Sequence, residues 1–265
     1  MTRRRFATPL VVAVAALIGA CTAVSTSPTT VAAIEFDSLP FPSIVTGDTM
    51  RDSLGRASAL HAVLFNGTGG IIANPSVQYI AFDTGLTIGA GGILTAQARN
   101  GSVRVIASAG GLQTQPRTVL IARRPDSVLV TGKLVDTIKY VVPDLATTNV
   151  SPLLSLKLVT SDTGGGVSTT QGWLVSYQMS YKGKVLSKTD TTVASIWHKS
   201  ANNVSIVDTS GADGTVGRRI RLRPYGLGTD TAGTLTIVAT VRYKGVAVRG
   251  SPVTFVEYFT PKPAK

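Results

Sequence analysis

Gly172-Trp173-Leu174-Val175-Ser176-Tyr177-Gln178-Met179-Ser180-Tyr181 is the stretch whose pattern decides the fold. Trp173, Val175, Tyr177, Met179 and Tyr181 take every second position, and Leu174, Ser176, Gln178 and Ser180 fill the gaps. A period of two puts the larger apolar side chains on one face of an extended chain, whereas an amphipathic helix needs a period near 3.6. Lys182-Gly183-Lys184 then supplies a turn. The stretch reads as a strand with one face in a core, and Trp173 as a core aromatic.

The pattern repeats outward. Leu235, Ile237, Ala239, Val241 and Tyr243 alternate with Thr234, Thr236, Val238, Thr240 and Arg242, and Val216, Ile220 and Leu222 share one face of Val216–Arg223. Upstream, short strand-like runs over 43–45, 57–65, 77–82, 93–98, 102–108 and 118–122 are separated by Asn66-Gly67, Gly89–Gly92, Asn100-Gly101 and Gly110-Gly111. Such turn signals at regular spacing predict a β-sandwich. Arg123-Arg124-Pro125 is a plausible boundary, giving domains at 33–124 and 125–259. In the second, 143–152 and 161–171 are expected to be loops. Gly101-Ser-Val-Arg-Val-Ile-Ala-Ser108 aligns with Gly233-Thr-Leu-Thr-Ile-Val-Ala-Thr240, which points to two tandem sandwiches of one kind.

Composition agrees. The 265 residues are 43% hydrophobic and 15% charged, with 27 glycines, so the chain can bury a core and has many tight turns. Formal net charge is +12, and losing Arg3, Arg4 and Arg5 with residues 1–20 leaves 23 − 14 = +9. A basic surface of that kind favours acidic glycan, anionic lipid or, less suitably here, nucleic acid.

Residues 1–20 read as a secretion signal. Arg3–Arg5 are its positive region, Leu10–Ile18 its apolar run, and Gly19 and Ala20 the small residues before a cut. Nine apolar residues are too few to span a bilayer, which takes about 20. Ile18-Gly19-Ala20-Cys21 resembles the lipobox of bacterial lipoproteins. The resemblance implies that Cys21, the one cysteine in the chain, receives a diacylglycerol, becomes the first mature residue and is acylated, with palmitate as a typical label. Thr22, not Asp, follows the cysteine, a pattern that resembles outer-membrane sorting. Thr2-Arg3-Arg4-Arg5-Phe6 also resembles a twin-arginine signal, so the general secretory and twin-arginine routes both stay open. Residues 21–32 read as a flexible tether and 260–265 as a polar tail.

Residues 43–122 resemble a bacterial immunoglobulin-like domain of the group 2 type. The matching features are Gly47-Asp48-Thr49, Val77-Gln78-Tyr79 (Tyr where the family often has Trp), Gly92-Ile93-Leu94-Thr95-Ala96, Gly101–Ala107 and Gly110-Gly111. The second domain resembles the family more loosely. The resemblance implies a sandwich with roles such as adhesion, glycan binding or spacing, and names no ligand.

Chemistry-bearing candidates are few. With His61 and His198 the sole histidines and Cys21 in the leader, a transition-metal site is not expected, and no Gly-x-Ser-x-Gly elbow surrounds any serine. Gly164-Gly165-Gly166 precedes no helix, so it predicts no phosphate cradle. Asp208-Thr209-Ser210-Gly211-Ala212-Asp213-Gly214 is the best cation loop, with Asp208 and Asp213 as weak calcium candidates; Arg219 stands where a bidentate Glu would be needed, and a sandwich loop using Asp and Gly for turn geometry explains the run more simply. Arg219, Arg221 and Arg223 alternate along one strand, on its expected solvent face, as a strip able to take acidic glycan or phosphate. Trp197 beside His198 is a candidate exposed aromatic. The reading is a non-enzymatic cell-envelope lipoprotein without cofactors, held to a membrane at Cys21, with a glycan or protein partner and no nucleic acid. A calcium- or acidic-glycan-dependent lectin-like binder is the alternative.

Overall fold

A computed structural model describes residues 27–97, 101–142, 144, 148–162, 164–199 and 203–263; the leader and Cys21 lie outside this set. Among the described residues two short 3-10 turns, Ala90–Gly92 and Pro224–Leu227, accompany 22 strands, and the fold is all-β. In chain order the strands are β1 (Ala33–Phe36), β2 (Ser43–Val45), β3 (Ala62–Phe65), β4 (Gln78–Ala81), β5 (Leu86–Ile88), β6 (Leu94–Ala96), β7 (Gly101–Ala109), β8 (Leu112–Gln113), β9 (Arg117–Ala122), β10 (Ser127–Val130) and β11 (Val135–Tyr140). They continue as β12 (Leu154–Ser161), β13 (Val167–Thr169), β14 (Leu174–Tyr181), β15 (Lys184–Leu186), β16 (Ala194–His198), β17 (Val207–Thr209), β18 (Thr215–Leu222), β19 (Gly233–Thr240), β20 (Arg242–Tyr243), β21 (Val246–Ala247) and β22 (Val253–Pro261).

The strands from β10 onward form two main sheets. One has the order β10-β12-β18-β16, with β13 added to β12; the other has the order β11-β22-β19-β14-β15, with β17 added to β14. In immunoglobulin lettering these are A-B-E-D and A′-G-F-C-C′, the sandwich topology of that fold. Alternation explains the core. Leu154, Leu156, Leu158, Val216, Ile220 and Leu222 of the first sheet are 3% exposed or less, as are Val175, Tyr177, Met179, Leu235, Ile237, Ala239, Phe255 and Phe259 of the second. Their outward neighbours, among them Ser176, Gln178, Thr234 and Thr254, meet water.

Upstream, β2-β9-β7-β4 make one sheet, with β8 added to β7. Its β2 runs parallel to β9, and β9 antiparallel to β7; in the same way β11 runs parallel to β22, and β22 antiparallel to β19. The aligned segments at 101–108 and 233–240 therefore occupy the same place, that of strand F, in two immunoglobulin-type sheets.

By compactness the chain divides elsewhere than at residue 124. Among the described residues, one unit comprises 27–37, 62–78 and 107–114, and the other takes those within 38–61, 79–106 and 115–263. In the first, β1 and β3 pair antiparallel with Phe36, Ala62 and Leu64 buried, and β8 closes a hairpin onto the end of β7. The second holds both large sheets of the A-B-E-D/A′-G-F-C-C′ sandwich and most of the β2-β9-β7-β4 sheet.

Two local expectations change. The run 57–65 is a strand over Ala62–Phe65 alone, because Ser58 and Leu60 donate to isolated carbonyls, Met50 and Gly92, instead of to a ladder. Inside the expected loop 161–171, Val167–Thr169 is a strand paired with β12.

Candidate functional site

The structure takes the calcium loop apart. Asp208 lies in β17 and is 5% exposed. Its Oδ1 is ion-paired with Arg218 Nη1 and accepts from the Thr209 amide, each at 2.9 Å, and its Oδ2 accepts from the Gly217 amide at 2.7 Å. Arg218 is itself 2% exposed. It donates to the carbonyls of Ser205, Gly217 and Val207 and lies over the Tyr177 ring at 6.0 Å. Both oxygens of Asp208 are thus committed inside the sandwich. Asp213 is exposed and accepts from the Thr215 amide at 3.0 Å and its hydroxyl at 2.7 Å, the bonding of an Asx turn. One carboxylate neutralises a core arginine, and the other shapes a turn. Among the described residues no group of three or more His, Cys, Asp or Glu side chains is placed to hold a metal ion.

The arginine strip also needs correction. Arg219 is exposed, but Arg221 is 5% exposed and Arg223 half-buried. Arg221 Nη2 pairs with Asp144 Oδ1 at 2.8 Å, and its guanidinium covers the Trp197 ring at 5.0 Å. Val150 forms an isolated antiparallel bridge with Arg221 on this face. Trp197 is half-buried, and its Nε1 is buried without a hydrogen-bond partner. His61 is exposed and just precedes β3; His198 ends β16, where its amide donates to Asn203. Among the described residues no helix is long and apolar enough to cross a membrane.

What the sequence pattern did not single out is a joint between the β2-β9-β7-β4 sheet and the sandwich, all within one compact unit. Trp173 stands just before β14, 5% exposed. Its ring meets Phe41 edge-on at 5.0 Å and Tyr243 at 6.0 Å, and its Nε1 donates to the Arg242 carbonyl at 3.2 Å. Ser43 Oγ donates to the Gly172 carbonyl at 2.8 Å. Gly172 is required there: its φ is +73°, and a Cβ would lie 2.8 Å from Leu120 Cδ1.

Beside the aromatic stack is a polar cluster. Asp48 accepts from Arg51 Nη2 at 2.7 Å, from the Tyr243 hydroxyl at 2.8 Å and from the Thr49 amide at 2.9 Å, with Lys244 Nζ at 3.6 Å. Burial pushes the Asp48 carboxyl up, but the hydrogen bonds from Arg51, Tyr243 and Thr49 outweigh it and hold the group well below the usual carboxylate range. Burial and then the Asp48 carboxylate push the Tyr243 phenol up to about 12. The loop carrying Arg51 closes tightly on the Lys244-Gly245 turn, since a Cβ on Gly55 would lie 2.1 Å from the Gly245 nitrogen. The cavity left among these residues is about 20 Å³, room for a single water and not for an organic ligand. A more open polar cleft of about 480 Å³ is lined by Ser102, Ile121, Arg123, Ser168 and Gln171, where Arg123 is paired with Asp162. Within the joint the Asp48 carboxylate is engaged by Arg51, Tyr243 and Thr49.

No known protein family matches the chain, and no curated protein matches it. Solved structures do. The Yersinia pseudotuberculosis adhesin InvE is 17% identical at a TM-score of 0.31, over 91% of this chain and 61% of that one. Domains 5–6 of the S-layer protein SbsC are 14% identical at 0.27, over 88% and 99%. The Escherichia coli adhesin FdeC is 13% identical at 0.27, over 88% and 65%. The chain thus spans about three-fifths of the adhesin InvE. At scores of this size the fold assignment rests on the chain's own sheet order, and no activity is carried across.

Proposed function

We propose that this chain is a non-enzymatic cell-envelope lipoprotein, held at a membrane through lipid on Cys21, that presents tandem immunoglobulin-like modules for surface binding or scaffolding. The observation that carries the reading is Ile18-Gly19-Ala20-Cys21 closing an Arg-led apolar leader, with strand structure starting at Ala33 about a dozen residues later. Residues 33–124 and 125–259 are the two proposed modules, after a tether at 21–32. Several acyl chains, each methylene contributing about 0.8 kcal/mol when buried, make such an anchor effectively permanent. Thr22 after the cysteine favours the outer membrane. The packing of Trp173 against Phe41 and Tyr243 supports a spacer that keeps a set orientation, and a glycan or protein is the partner class that such a surface serves. Fractionation of cells fed labelled palmitate tests the anchor. Wild type should carry label and sediment with membranes, and Cys21→Ser should lose the label and appear soluble. Unlabelled, soluble wild type contradicts the proposal.

A further inference from the structure

β22 alternates Val253, Phe255, Glu257 and Phe259 toward the core. Glu257 is 1% exposed, and its Oε2 is buried without a hydrogen-bond partner. A carboxyl in that position is costly when ionised and unpaired. Its register partner on β11 is Asp136, also on the inward side of its strand, between exposed Val135 and outward Thr137. On β19 the partner is Leu235, which has no charge to offer. The charged groups that act on Glu257 are Asp136, which opposes ionisation, and Lys133, in the β10–β11 connection, which favours it. Lys133 Nζ lies 3.4 Å from Asp136 Oδ2 and is itself well exposed. On β11, Lys139 points outward, bonding Thr260 Oγ1, and the Tyr140 hydroxyl donates to the Thr231 carbonyl. The facing sheet presents Val128, Leu154, Leu156 and Leu158, together with Arg218, which is neutralised by Asp208, and its register partner His198.

β11 is an edge strand, paired on one side only, in parallel, over Val135–Tyr140. Around its start Leu129, Val130, Leu134 and Val135 are 40–55% exposed, so little apolar burial holds that end down. From these two observations we propose that Glu257 is a protonation latch: neutral, it lets β11 stay docked on β22, and ionised beside Asp136 it drives β11 off. The undocked state bares a row of β22 backbone N–H and C=O groups, an edge that another strand can pair with.

Burial and then Asp136 raise Glu257 from 4.5 to about 7 in the docked state. The docking contribution is therefore whole below the ordinary carboxyl range and is lost as pH rises through about 7. If Glu257 titrates ordinarily when β11 is off, the open population grows on the order of 30-fold between pH 5.5 and 8. Hydrogen exchange of the full chain in detergent, corrected for the intrinsic pH effect on exchange, tests this. Amides of 135–140 should lose protection by about that factor, β14 and β19 should not, Glu257→Gln should abolish the loss, and Asp136→Asn should reduce it. Equal β11 protection at both pH values in wild type overturns the latch. So does an undiminished loss in Glu257→Gln or, should that variant not fold, in Asp136→Asn.

Discussion

Asp208 and Arg218 show how a single position can change meaning between sequence and structure. Val216, Ile220 and Leu222 share a face in the sequence, and Arg218 has the same parity, so its inward direction was legible; its charge hid it. A buried arginine needs a carboxylate, and Asp208, read as a calcium ligand, is that carboxylate. Removing one partner should cost more than removing both. Asp208→Ala is expected to lose about 3–5 kcal/mol by urea unfolding, and Asp208→Leu with Arg218→Met to lose clearly less. Equal losses would mean that the pair is not coupled. Asp48 gives the pH counterpart. Its native carboxyl sits below the ordinary range, so its contribution is present above about pH 4 and lost as pH falls through the native value. Asp48→Asn should be less stable at pH 7 by about 1–3 kcal/mol, and it should lose less stability than wild type on going to pH 2. A wild-type-like acid limb in that variant would contradict the assignment. Glu257 has the opposite sign, because burial and then the Asp136 charge disfavour its ionised form.

At the scale of elements, alternation was a sound guide where strands are long and less so where they are short. The faces of 173–181 and 235–241 came out as read, with Val175, Tyr177 and Met179 inward and Leu235, Ile237 and Ala239 beside them. Val167–Thr169 was hidden because three residues next to a triple glycine have no period, and only pairing with β12 makes them a strand. The arginine strip failed for a different reason. Alternation separates two faces, but whether the outer one meets water depends on what packs on it, here Asp144 and Trp197 against Arg221. Trp173 was expected in a sandwich core. It is buried, yet its aromatic partners Phe41 and Tyr243 come from the segment just before β2 and from the β20 hairpin, a joint no periodicity reports. Trp173→Ala should cost about 3–5 kcal/mol. It should also broaden the distribution of distances between spin labels at exposed Arg104 and Lys184, whereas an unchanged distribution would mean that the stack does not set orientation.

For the whole molecule, the fold class was legible because each level of the sequence agrees: alternation, glycine turns and the repeated F-strand segment at 101–108 and 233–240. The one functional proposal the sequence supplies comes from the leader. The residues that could have borne chemistry are engaged in holding the fold, Asp208 with Arg218, Arg221 with Asp144, Asp48 with Arg51 and Tyr243. What remains is a stable β-scaffold whose proposed defined chemistry is attachment at Cys21. Mass spectrometry of the N-terminal peptide of the protein purified from membranes tests that most directly. The account predicts a chain that begins at Cys21 and carries a thioether-linked diacylglycerol with an acylated amine. A chain that keeps residues 1–20, or one that begins elsewhere or carries an unmodified Cys21 thiol, would contradict it.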